Sequence, residues 1–359
     1  MEQNSKKTRT NSMRIGITQG DFNGVSYELV INSLADETIC ELFTPVFFGC
    51  SKLVSYFRKL LKVENFSFVQ SKINELAFSK PNLINIYDKE AKVNIGAQTE
   101  EAAELAILSL NAAYEAIRNR NIDAIVCSPI SLGLLKDKAP DFRNNGSFFA
   151  NLVHSENAMR IFCKDNLRIA TLSNYQIGEI ENSLSVNYLH NKILQLDRSL
   201  KREFVISSPR IAVLAVNPIN EYGNFPSKIE SMIEIAVYNA TLDNVFVCGP
   251  YSSSQLFNET SYKSFDAILT ICEEQAATIF SLLNGKDGAI YTTGLPFTVT
   301  EPFCDAHSEQ IGKDVISTQT MRYAMYLAKD ITSNRIEYYH LRKNVLKISK
   351  LELAKNEPG

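Results

Sequence analysis

The chain has no tryptophan, four histidines, and no CxxC pair among its seven cysteines. The cysteine spacing therefore argues against a thiolate zinc site. Cys40, Cys50, Cys127, Cys163, Cys248, Cys272 and Cys304 make an odd set. Several lie in apolar runs such as Ile125–Cys127 and Val245–Cys248, which predicts free, buried thiols in a reducing cytosol. No apolar run approaches the roughly 18–20 residues needed to cross a bilayer. No charged, apolar and small-residue series of a secretory leader opens the chain, so a cytoplasmic protein is expected. Charge of one sign is also missing. Lys and Arg total 37 against 40 Asp and Glu, a net charge of −3 without clustering, and this speaks against a nucleic-acid partner. Neither a GxGxxG fingerprint nor a Walker A loop occurs.

What is present is apolar content. The 359 residues are 45% hydrophobic, enough for about two domains with real cores. Residues 1–12 are polar and aperiodic and are expected to be a disordered lead. Beyond them, short apolar runs alternate with helical segments. Met13–Thr18 and Pro45–Phe48 read as strands, and Glu28–Leu34 as a helix. The clearest element is 98–119, where Ala102, Leu105, Ala106, Ala113, Ala116 and Ile117 mark one helical face. It leads into a buried strand, Ile122–Cys127, and the turn Ser128–Pro129.

The second half repeats this grammar. Arg168–Leu172, Arg210–Val216, Val245–Cys248, Ala267–Ile271 and Ala289–Thr293 read as strands. Ser227 and Glu230 form a capping-box pattern that opens a helix through Ala240. Further helices are predicted over Glu274–Leu283 and Thr318–Lys329, while the form of 331–359 is left open. The pattern predicts an α/β fold with parallel strands, in which ligands bind beyond the strands' carboxyl ends.

Local motifs offer several candidates for chemistry. The turn Gln19–Gly24 follows the first strand; it could turn amides toward an anion or simply join strand to helix. His154, His190, His307 and His340 are far apart and form no HxH or HxxxH pair. A Cys304–His307 nucleophilic pair would need spatial proximity that sequence adjacency does not supply. Glu273 and Glu274 follow a strand and could hold a divalent cation, or favour a helix N-terminus. Asn217 sits at a similar strand end.

The order of these segments resembles the 4-hydroxythreonine-4-phosphate dehydrogenase (PdxA) family. Arg14–Leu29, with Gly20, Asp21, Gly24 and Glu28, is similar to that family's opening strand and ITPGDPAGIGPE turn. Ile122–Ile130 resembles DAVVTGPI, and Arg210–Pro218 resembles PRIAVxGLNPHAGE. Cys248–Pro250 with Gln255–Phe257 resembles GPxPADTLF, Glu273–Gln275 stands at HDQ, and Gly294–Phe297 with Pro296 matches GLPFIRTS. The likeness runs from about residue 13 to 330.

The resemblance implies two interlocked α/β domains with a cleft between them, like the isocitrate and isopropylmalate dehydrogenases. The expected division is 13–145 with 292–359, and 146–291, the latter carrying the contact of a homodimer. It also implies NAD-dependent oxidation of 4-phosphohydroxy-L-threonine in pyridoxal phosphate biosynthesis, with a divalent metal as Lewis acid.

Site positions depart from the family pattern. The three metal histidines align with Asn174, Ile219 and Glu273. The substrate-contacting His-Thr pair falls at Asn145 and Gly146. The lysine, asparagine and arginine that grip phosphate align with Ser281, Ile290 and Val299. An isoleucine ligates no metal and a valine pairs with no phosphate. Three functions are therefore in play: the family's oxidation at a re-made site, in which Asn174, Glu273 and Glu274 hold a harder cation; a diverged, non-catalytic member that binds a small-molecule ligand or a partner subunit; or an oxidoreductase acting on an unphosphorylated, more apolar substrate.

Overall fold

The computed structural model describes residues 12–135, 138–173, 184–216, 228–258, 260–285, 287–304, 311 and 317–343. Asn174, Asn217, Ile219, Ser227 and His307 lie outside the described residues.

Twelve strands form one sheet in the order β3-β4-β2-β1-β5-β12-β11-β6-β7-β10-β8-β9. The predicted strands are present as β1 (Arg14–Thr18), β2 (Thr44–Gly49), β5 (Ala124–Val126) and β7 (Leu167–Ser173). So are β8 (Arg210–Leu214), β9 (Phe246–Tyr251), β10 (Ala267–Cys272) and β11 (Ala289–Thr293). Four strands were not expected: β3 (Val69–Gln70), β4 (Asn82–Asn85), β6 (Met159–Lys164) and β12 (Thr298–Pro302). The helix Val186–Glu203 was also missed, although Leu189, Ile193, Leu196 and Leu200 recur at helical spacing and are all buried. The last described helix, Gln319–Arg342, runs past the expected Lys329.

The pairing is more mixed than a parallel sheet. β12 runs parallel to β5, and β7 parallel to β10. Between these two parallel blocks, β11 is antiparallel to both β12 and β6, and β6 is antiparallel to β7. The two blocks therefore point in opposite directions across an antiparallel seam. Each block has its own apolar cluster: one holds Ile15, Phe47, Ile125 and Met321, the other Ile161, Leu196, Ile233 and Leu269. Ile290, on the seam, registers against both Phe162 and Glu301.

The thiols behave as expected with two corrections, Cys248 and the half-buried Cys304. Five cysteines are buried and none is bridged among the described residues, but Cys248 is exposed because β9 is an edge strand. Burial pushes the Cys50 and Cys163 thiols up to about 12.

Lys192 is buried in the helix Val186–Glu203, and its ammonium donates to the carbonyls of Glu156 (3.0 Å) and Ala158 (3.3 Å). Desolvation lowers its pKa from 10.5 to about 8, against a smaller opposing pull from Glu156. Between those values Lys192 binds more protons in the unfolded chain than in the folded one, so its own contribution to stability rises with pH across the window. The raised thiols pull the other way in both proteins, so it is the urea midpoint of the wild type relative to Lys192→Met that should climb from about pH 8 to about pH 10. Equal slopes in the two proteins would refute it.

Candidate functional site

A cavity of about 690 Å³ opens over the seam. Its floor is made by Arg160 and Phe162 of β6, Ile290 of β11 and Glu301 of β12. One wall is the helix Glu273–Asn284, which contributes Glu273, Ala277 and Ser281. The other is the amino end of the helix Asn145–Leu152, with Asn144 and Asn145, and the segment Pro129–Ser131 beyond β5.

Each element is placed by local chemistry. Asn144 caps its helix, accepting from the Ser147 amide at 2.8 Å while the Ser147 hydroxyl accepts from the Asn144 amide. Gly146 lets that helix settle on β11, since a Cβ there would lie 2.3 Å from the Thr292 hydroxyl. On the opposite wall, Phe280 packs against Phe162 and Phe303, which fixes how Glu273 projects from the same helix.

At the centre is a charged network. Arg160 is 7% exposed, and its guanidinium pairs with Glu273 through Nη1 and with Glu301 through Nη2, the latter at 2.5 Å. Asn145 Nδ2 donates to the other Glu301 oxygen at 2.6 Å. Burial alone would lower the pKa of Arg160, but the Glu301 and Glu273 carboxylates outweigh it and hold the guanidinium above its ordinary value. Burial also raises the Cys127 thiol, and the charge on Glu301 adds to that.

The model of pyridoxal phosphate biosynthetic protein PdxA matches residues 41–328 of this chain. The chain belongs to the PdxA family. It is 32% identical to a 4-hydroxythreonine-4-phosphate dehydrogenase of Bacteroides thetaiotaomicron, over 94% of this chain and 93% of that protein. A second relative of that name, from Sulfurihydrogenibium, is 26% identical over 88% of this chain and 97% of its own length. Among solved structures, the 4-hydroxythreonine-4-phosphate dehydrogenase of Klebsiella pneumoniae superposes with a TM-score of 0.70 at 22% identity. That match covers 89% of this chain and 98% of the other, and it shows the shared α/β fold.

The cavity collects Glu273, Asn145, Ser281 and Ile290, four of the positions the sequence reading expects at the site. Gly146 is buried just behind Asn145. Val299 is 1% exposed and belongs to the core beneath, not to the cavity wall. Glu274 is exposed on the helix's outer side and takes the Thr278 hydroxyl at 3.4 Å, so it does not join Glu273 in a cation pair. Consecutive helical residues point about 100° apart, which is the physical reason.

The retained turn residues shape the fold instead of lining the cavity. The Asp21 amide donates to the Pro129 carbonyl at 3.0 Å, and the Asp21 carboxylate accepts from the Asn23 amide at 2.9 Å. Gly24 N–H closes on Asp21 O, and Glu28 is buried in the helix that follows. The anion-binding alternative for this turn therefore loses the Asp21, Asn23 and Gly24 amides it would use. Gly20, at φ +64°, lies 2.6 Å from Pro129 O at its would-be Cβ. The turn thus supports the Pro129–Ser131 wall from behind. Gln275 ties helix to sheet through Ala215 O (3.1 Å). Gly294 and Pro296, expected near the cleft, form the β11–β12 hairpin at the far end of those strands, where Arg335 donates to Pro296 O.

Arg160 and Glu301 were missed from sequence because β6 and β12 were. The signal was present: Met159–Cys163 and Thr298–Pro302 are apolar or β-branched runs, each with a single charged residue inside. A charge in such a run needs a partner.

Glu273 is already committed to the Arg160 guanidinium. A cation bound by Glu273 at about 2.0–2.2 Å would face the Arg160 guanidinium on the same carboxylate. Among the described residues, no group of three or more His, Cys, Asp or Glu side chains is placed to hold a metal. No described helix is long and apolar enough to cross a membrane.

Proposed function

We propose that this PdxA-family chain binds a small polar metabolite in the seam cavity through an arginine-centred network, and that it does not carry out a divalent-metal-dependent oxidation. The observation that carries this reading is the pairing of Glu273, at a family metal position, with buried Arg160. The guanidinium supplies the positive charge of the site and holds it permanently, because arginine does not deprotonate in proteins. The test is to mix the purified chain with 4-phosphohydroxy-L-threonine, NAD and Mg²⁺, Mn²⁺ or Zn²⁺ in turn. No metal-dependent NADH formation is expected. Turnover that requires a metal and is abolished by chelation would overturn the reading.

A second reading is favoured by the 32% identity that spans almost the whole of a relative named 4-hydroxythreonine-4-phosphate dehydrogenase. On that reading the chain oxidises 4-phosphohydroxy-L-threonine with NAD, as a step toward pyridoxal phosphate. The same assay separates the two, since this one requires NADH to appear.

We also infer a homodimer, formed through the outer edge of the second half. Ile235, Tyr238 and Leu242 recur at i, i+3 and i+7 on one face of the helix Lys228–Leu242, and each is exposed. That helix packs on β9, whose Phe246 is 64% exposed at the sheet's edge. An apolar patch beside the open edge of β9 suits a second copy of the same surface. Tyr238→Glu is expected to shift the sedimenting species from dimer to monomer, and a wild-type monomer at all concentrations would refute the dimer.

A further inference from the structure

We infer that the chain has a second ligand site, apart from the seam cavity, which takes a nucleoside monophosphate by its base and its phosphate together. The site is a cavity of about 530 Å³ near the β3 edge of the sheet, and it shares no lining residue with the seam cavity. Its volume is that of a small-molecule site.

The topology gives its place. β2, β3 and β4 run parallel, and their carboxyl ends are Gly49, Gln70 and Asn85. Open α/β sheets bind ligands beyond such ends. One wall is the helix Ser51–Leu60, which starts directly after β2. The other is the segment 90–93. Both walls are pinned. The Ser51 amide donates to Asn85 Oδ1 at 2.8 Å. On the second wall, Ile86 N–H donates to Gly49 O (3.1 Å), Lys92 N–H to Glu101 Oε2 (3.0 Å) and Asn94 N–H to Asn23 Oδ1 (2.8 Å). The cavity is thus formed before a ligand arrives, which spares the ordering cost of binding.

The lining supplies two kinds of contact. Lys52, Tyr56 and Lys59 stand at i, i+4 and i+7, so one helical face carries a ring between two ammonium groups. Tyr56 packs edge-on against Phe57, with centroids 5.2 Å apart, yet stays 44% exposed. The Phe57 contact orients the ring and leaves much of it free. The opposite wall adds Ala91 and Val93, and a flat base held between the two walls gains stacking on the tyrosine.

The second kind of contact is electrostatic. The lining holds two lysines against one carboxylate, Glu90. Lys52 lies 3.7 Å from Glu90 in an exposed pair of small worth, and Lys59 has no counter-charge among the described residues. The Lys59 ammonium, the Gln70 amide and the Tyr56 hydroxyl are donors without a partner there, which suits a phosphate. Three residues separate Tyr56 from Lys59, about 4.5 Å along the helix axis, a gap that a ribose spans. An inorganic anion would leave the ring unused, an uncharged aromatic would leave Lys59 unpaired, and a divalent cation would meet two ammonium groups.

The test is calorimetry on the full chain with AMP, adenosine and ribose 5-phosphate. AMP should bind, and each fragment should bind at least about tenfold more weakly. Tyr56→Ala should weaken AMP about tenfold and leave ribose 5-phosphate unchanged. Lys59→Met should weaken AMP by about as much and leave adenosine unchanged. Both side chains are exposed, so neither variant threatens the fold. Arg143→Ala alters the wall of the seam cavity and should leave AMP binding as in the wild type. No binding of AMP at millimolar concentration, wild-type affinity in either Tyr56→Ala or Lys59→Met, or loss of AMP binding in Arg143→Ala would overturn the inference.

Discussion

Arg160→Met is expected to destabilise the protein by about 3–5 kcal/mol, the range for removing one partner of a buried ion pair. The effect is large because two carboxylates lose their counter-charge at once. Glu301 is 8% exposed and would keep only the Asn145 amide as partner, and Glu273 would face an apolar side chain. Methionine fills much of the stem's volume, so packing loss contributes little by comparison. Adding Glu301→Gln to the same protein should recover part of the loss, because a neutral amide carries no uncompensated charge. Urea unfolding of the single and double variants measures both quantities. A single variant within about 1 kcal/mol of wild type would show that the pairing contributes little to the fold.

Gly294→Ala should cost about 2–4 kcal/mol, from a strained backbone and an overpacked contact together. Gly294 has φ +84°, and a Cβ there would lie 2.1 Å from the Asn157 carbonyl oxygen. Neither atom can yield cheaply, since one belongs to the chain's own turn and the other to a backbone. The neighbouring loop is itself held, with Lys192 donating to the carbonyls on both sides of Asn157. Relief must therefore come from the β11–β12 hairpin, whose register sets Ile290 opposite Glu301. Thermal unfolding should show the loss, and wild-type stability would mean that the turn adapts without cost.

Much of the fold was legible because its signals are local. The helix Glu100–Arg118 announces itself by spacing, and Thr99 caps it by accepting from the Ala102 amide at 3.3 Å. Strands β1, β2, β5, β7, β8, β10 and β11 stand out as short apolar runs ended by turn residues. β6 and β12 were hidden because each carries a charge, Arg160 or Glu301, that reads as a surface residue until its partner is known. The candidate site suffered most from this. Glu273 was visible as an acidic residue at a strand's end, yet its neighbour Glu274 looked equivalent, and only the helix's orientation separates them.

The sequence by itself determined the α/β class and the family, since both depend on residue identity and order. The tertiary structure decided that Arg160 comes from β6, Glu301 from β12, Glu273 from the end of β10 and Asn145 from a helix start, to meet over one antiparallel seam. Those residues are separated by more than a hundred positions in most pairings. Their charges have meaning only in each other's presence, because a buried charge is stable where its counter-charge is, and sequence distance carries no information about that.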